Sequence, residues 1–112
     1  MKDDLAYIEH ILDAISRILK YTKGVDFQEF EKSDIIQDAV IRNFEVLGEA
    51  TKNISNNFVL SSPAIPWKEM AGMRDKLIHD YMGIELRIIW KTIQEEIPEL
   101  ESLLKRLLSD KE

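Results

Sequence analysis

The sequence predicts an all-α protein, an antiparallel bundle of four to five helices. Three observations carry that prediction. Apolar residues recur at three- and four-residue steps through most of the chain. Its four glycines and three prolines fall mostly between those periodic stretches. Strand-like alternation is nowhere convincing, and short connections between amphipathic helices make antiparallel neighbours. With 112 residues, no Gly/Ser linker and no internal repeat, residues 1–112 read as one domain.

The first helix spans residues 3–21. Leu5, Ile8, Leu12, Ile15 and Leu19 form one apolar row, and Tyr7, Ile11, Ala14, Ile18 and Tyr21 form a second beside it. At 100° per residue the rows cover a face wider than the roughly 100° stripe that one core needs. Such a face suggests that this helix meets both its own core and another chain. Gly24 supplies the C-terminal stop.

Ser33 or Asp34 caps a second helix with Ile36, Val40, Phe44, Leu47, Ala50 and Ile54 apolar. Gly48 lies inside it at a cost near 1 kcal/mol relative to alanine, which marks a close backbone approach. Asn53, Ser55, Asn56 and Asn57 end it, residues 61–66 form a loop, and Pro66 starts a third helix over 67–80. A fourth runs over 84–97, where Pro98 breaks or kinks it. The last covers 99–109, with Leu100, Leu103, Leu104, Leu107 and Leu108 apolar.

Composition then excludes several functions. There are 15 Lys and Arg against 21 Asp and Glu, a net charge of -6. A surface that clings to nucleic acid throughout, or to anionic lipid, needs the opposite balance. No cysteine is present, so there is neither a disulfide framework nor a thiolate metal site. The two histidines have no ligand-like companions, and the Glu95, Glu96, Glu99 and Glu101 run reads as a solvated face. The N-terminus MKDDLAYIEH is charged where a signal peptide is apolar, and no run approaches about 18 apolar residues. A soluble protein in a reducing cytoplasm, with no membrane contact, is the expected setting.

One segment stands apart. From Trp67 through Lys91 there are five Lys or Arg and four Asp or Glu, so this window is +1 within a -6 chain. It holds Arg74, His79 and Tyr81 in an Arg-x4-His-x-Tyr pattern. A guanidinium for a phosphate, an imidazole titrating near neutrality and a phenol suit phosphodiester chemistry. Five residues turn an α-helix by about 140°, however, so Arg74 and His79 do not stack on one face. Either the helix loosens before Gly83, or the groups converge with copies from a second subunit. His79 and Tyr81 share a side if the chain is already extended there. From spacing alone, an ordinary solvated helix end remains the competing reading.

These residues resemble the signature of the HEPN superfamily, with Asp75 in the polar slot after Arg74. More narrowly, the chain resembles the HepT toxin family. The matching pieces are Gln37-Asp38-Ala39-Val40-Ile41-Arg42, Leu47-Gly48-Glu49-Ala50, Ile65-Pro66-Trp67, Met73 through Tyr81, and Trp90, in family order and over nearly the whole chain. The resemblance implies the toxin of a type VII toxin–antitoxin system. It implies a metal-independent ribonuclease that works on RNA as a homodimer, with paired Arg74 and His79 at an intersubunit cleft and no cofactor. It also implies an MntA-type nucleotidyltransferase antitoxin that attaches AMP to Tyr81. Asp75 either orients Arg74 or His79 or is a surface charge. Glu49 and Arg42 either reach the cleft or form helix-stabilising pairs or partner contacts. Trp67 and Trp90 are expected as core or interface anchors, and His10 as an exposed side chain opposite the apolar rows. Two readings compete with the nuclease: a non-catalytic subunit that binds nucleotide or substrate for a nucleotidyltransferase complex, and a dimerising helical adaptor.

Overall fold

The computed structural model describes the backbone of residues 2–82 and 85–111 and the side chains of residues 3–76 and 85–110. Helix α1 (Lys2–Thr22) opens with Asp3 and Asp4 in its first turn and stops at Gly24, whose φ of 74° is left-handed. Helix α2 (Phe27–Lys32) follows at once. Its Asp26 carboxylate accepts from the Glu29 amide at 2.8 Å while the Glu29 side chain accepts from the Asp26 amide, a reciprocal capping box. Helix α3 (Asp34–Lys52) begins at Ser33, whose hydroxyl accepts from the Ile36 amide. Helix α4 (Asn56–Ser61) begins at Ser55 in the same way.

Helix α5 (Trp67–Met82) starts directly after Pro66. Helix α6 (Leu86–Lys91), a π turn (Thr92–Glu96) and helix α7 (Ile97–Lys111) then follow one another without a gap. The expected start of the fourth helix at Ile84, and Gly83 before it, lie outside the described residues. Among the described residues there is no strand, and the chain has the all-α, HEPN-like architecture expected of it.

Two differences from the expected elements have local causes. Helices α2 and α4 are each six residues long, too short for the apolar periodicity to register, and only their caps announce them. Pro98 does not break the last helix. It has no N–H to donate and its ring crowds the carbonyl four residues back. The turn before it is widened into the π form, in which the Ile97 amide reaches back to the Thr92 carbonyl. The helical path continues through Pro98.

The core runs through Ile8, Ile11, Ile15 and Ile18 of α1, Val40, Phe44 and Leu47 of α3, Met70 of α5, Ile89 and Ile93, and Ile97 and Leu104 of α7. Helix α1 packs against α3 on one side and α7 on the other, and α3 packs against α5. That sandwiching accounts for the wide apolar face of α1. Leu5, Tyr7, Leu12 and Leu19 are partly buried against the core, and Tyr21 at the end of the second row is exposed.

Both tryptophans are anchors. Trp67 is buried, donates its indole N–H to the Ser62 carbonyl at 2.9 Å and meets Phe58 edge-on. Trp90 lies against Phe30 with ring centroids 5.1 Å apart. Where α3 ends, the Asp4 carboxylate accepts from both the amide and the hydroxyl of Ser55, tying the start of α1 to the start of α4.

Candidate functional site

Arg74 projects from the middle of α5 toward α3. The approach is close because of Gly48: a Cβ there would lie 3.3 Å from the Arg74 Cβ and 3.5 Å from the Ala71 carbonyl oxygen. The close approach expected at Gly48 is therefore present, and it sets where Arg74 leaves its helix. Two carboxylates brace the guanidinium. Its Nη1 donates to Asp75 Oδ1 at 3.0 Å, and its Nε faces Glu45 Oε2 at 3.5 Å. The bond to Asp75 raises the Arg74 pKa above its ordinary value, Glu45 adds to the effect, and partial desolvation works against it. The group is a fixed cation whose plane is held by its acids.

This braced arginine lines an open groove of about 610 Å³ between α1, α3 and α5. Tyr7 and His10 come from α1, Arg42, Glu45 and Glu49 from α3, and Asn53 from just past its end. Arg42, Glu45 and Glu49 stand at three- and four-residue steps, which puts them on one side of α3. The opposite side of that helix carries the buried Val40, Phe44 and Leu47.

The structure thus brings together Arg42, Glu49, Arg74 and its neighbour Asp75. Asp75 is an exposed residue that pairs with Arg74. Glu49 lines the groove and also pairs with Lys52 at 3.8 Å. The side chains of His79 and Tyr81 lie outside the described residues, but their backbone is α-helical. The chain is therefore not extended at these two positions. His79 and Tyr81 are about 160° apart around α5, and they do not share a side. Helical geometry puts Arg74 and His79 about 140° apart, and it puts His79 one turn beyond Asp75, on the stripe of the exposed Gly72.

The chain matches the family described as "Ribonuclease HepT-like" over residues 11–107. It belongs to the HepT-like ribonuclease family. It is 48% identical over 101 residues to a protein of Thermococcus cleftensis named as a probable ribonuclease HepT, covering 90% of this chain and 92% of that one. It is 46% identical over 108 residues to a Caldanaerobacter subterraneus subsp. tengcongensis protein named as a candidate RNase, covering 96% of each. It is 41% identical over 111 residues to another protein so named, from Methanocaldococcus jannaschii, covering 99% and 96%. No solved structure matches the chain.

In this HepT-like chain, no described residues form a group of three or more acids, histidines or cysteines able to hold a metal ion. No described helix is long and apolar enough to cross a membrane. Sequence reading missed Glu45, although its spacing from Arg42 and Glu49 was visible. It also missed the place of His10, which is exposed as expected and lines the groove. Nothing in the sequence of α1 shows that its His10 side faces Arg42 and Arg74, because that depends on how α1 sits across α3.

Proposed function

We propose that this chain is a metal-independent endoribonuclease, acting in the cytoplasm as the homodimeric toxin of a type VII toxin–antitoxin pair. The observation that carries the reading is Arg74: a guanidinium braced by Asp75 and Glu45 at the edge of an open groove, in a member of a ribonuclease family. Its role is to hold the scissile phosphate and offset the charge that grows there in the transition state. His79 takes the proton from the ribose 2′-hydroxyl, or returns one to the leaving oxygen. The 2′-oxygen then bonds to phosphorus as the bond to the 5′-oxygen breaks, leaving a 2′,3′-cyclic phosphate and a 5′-hydroxyl. Attack of water on the cyclic phosphate then breaks the bond to the 2′-oxygen, which takes up a proton, and leaves a 3′-phosphate.

The angle between Arg74 and His79 on one α5 favours a cleft completed by a second copy, each chain offering its motif across the dimer axis. Tyr81 stands seven residues after Arg74, two turns on along the same side of α5. AMP attached there by a nucleotidyltransferase antitoxin adds a phosphodiester charge and a base on the Arg74 side of the helix, so the modification both fills the cleft and repels RNA phosphate.

The test is cleavage of RNA by the purified dimer in EDTA. Arg74→Ala and His79→Ala should each lower the rate at least about 100-fold while the protein remains a folded dimer. Cleavage that requires magnesium and leaves 5′-phosphates would overturn the mechanism. Nucleotide binding without any cleavage would point to the non-catalytic subunit. After incubation with the antitoxin and ATP, the mass should rise in AMP units, and a Tyr81→Phe protein should gain none.

A further inference from the structure

We infer that the groove between α1, α3 and α5 is a subsite for one unpaired nucleotide next to the phosphate held by Arg74, with Arg42 on the flanking phosphate and the Tyr7–His10 pair against the base. The inference rests on the ribonuclease reading above and adds to it a substrate contact surface outside the Arg74–His79 pair.

The groove's acids are already committed. Glu45 faces Arg74, and Glu49 pairs with Lys52. Arg42 shares their side of α3 and yet has no carboxylate partner among the described residues. It is an exposed cation at the wall of the groove. An RNA strand offers what this arrangement lacks, a phosphate whose two non-bridging oxygens suit the paired donors of a guanidinium.

His10 is in the same condition. Its ring meets the Tyr7 ring edge-on, with centroids 6.2 Å apart, and neither ring nitrogen has a partner among the described residues. An aromatic pair beside two guanidinium groups is a stacking wall for a base whose sugar–phosphate lies along α3. Asn53, at the end of the groove, donates its amide to the Glu49 carbonyl at 2.9 Å, which leaves its oxygen as the acceptor for a base edge. The volume of about 610 Å³ is that of a small-ligand site and admits a nucleotide. A paired base keeps its faces inside the duplex stack, so the nucleotide taken here is an unpaired one.

The test uses the full chain carrying His79→Ala, which is expected not to cleave, and a labelled single-stranded RNA oligonucleotide followed by fluorescence anisotropy. Adding Arg42→Ala or His10→Ala should weaken binding about tenfold, and His10→Phe, which keeps a ring, should restore most of it. Adding Arg17→Ala removes the same charge as Arg42→Ala from an exposed ion pair with Asp13 and should leave the affinity unchanged. Equal affinity across all of these variants would overturn the subsite. So would weakening by Arg17→Ala equal to that by Arg42→Ala, since net charge would then explain both. The two readings fail separately. If the unsubstituted protein cleaves RNA and Arg42→Ala and His10→Ala leave its KM unchanged, the subsite is wrong and the nuclease stands. If it binds RNA through these residues but never cleaves, the subsite stands and the nuclease is wrong.

Discussion

Two regions of this bundle use similar residues to opposite ends. Where α2 meets α6, Phe27, Phe30 and Trp90 pack ring against ring, and the Arg87 guanidinium lies 4.4 Å above the Phe27 ring. The buried Gln37 amide donates to the carbonyls of Phe30 and Glu31, closing the end of α2. In the groove between α1, α3 and α5 there is again an aromatic pair, a set of arginines and an amide, but Arg42 and His10 are left open among the described residues. A region that stabilises closes its polar groups within the chain, whereas a region that binds leaves them for a ligand. Substitutions in the first should move stability, and those in the second should move RNA binding.

The largest expected effect is in the aromatic region. Phe30 is fully buried, so Phe30→Ala loses its packing against Trp90 and leaves a cavity, at a cost of about 4 kcal/mol. Urea denaturation should show that loss. Below the unfolding transition, RNA affinity should match the parent protein, and an equal fall in affinity would break the contrast between the regions.

Next comes the junction of α1 with α4. The amide of Ser55 donates to the Asp4 carboxylate and, against the opposing effect of burial, lowers its pKa below the ordinary 3.8; the Ser55 hydroxyl adds to this. The sign follows directly. A carboxylate with a depressed folded-state pKa contributes stability that is fully present above its unfolded value and is lost as pH falls through the folded value. At neutral pH Asp4→Ala should therefore cost about 2 kcal/mol, since it removes two hydrogen bonds from Ser55 to a charged acceptor. The gap between the two proteins should narrow as the pH drops below 3.8, measured by thermal midpoints across the acid range. A constant gap would mean that Asp4 acts through packing rather than charge.

The two regions also differ in how far the sequence revealed them. The long helices were legible because their apolar residues repeat over four or more turns, as in Ile8, Ile11, Ile15 and Ile18 of α1. Ser33, Gly24 and Pro66 marked boundaries because each does a local job that only a few residue types can do. The capping box at Asp26 and Glu29 was equally local, but the six residues it starts are too few to show a period. Pro98 does not end the helix, because a π turn spreads the missing hydrogen bond over one wider loop of helix. At the site, Arg74 and Asp75 are adjacent in sequence and were legible together. Glu45, His10 and Tyr7 reach Arg74's groove only through the way α1 and α5 lie against α3, which no local pattern records.

The smallest effect separates two glycines on either side of α5's surface. Gly48 is in α3, where an added Cβ would press on Arg74, whereas a Cβ on Gly72 would meet nothing within 4 Å. Both positions are helical, so alanine gains about 0.8 kcal/mol in each from reduced backbone freedom in the unfolded chain. At Gly72 nothing opposes the gain, and Gly72→Ala should raise stability by about that amount. At Gly48 the contact of 3.3 Å requires α5 to give way by a few tenths of an ångström, which offsets the gain and leaves the net change close to zero. The displaced atom belongs to the side chain that the proposed mechanism places on the phosphate. Gly48→Ala should therefore lower RNA cleavage severalfold with hardly any change in unfolding midpoint. If it instead stabilises as much as Gly72→Ala and cleaves as fast as the parent, then α3 does not set the position of Arg74, and the braces from Asp75 and Glu45 alone do so.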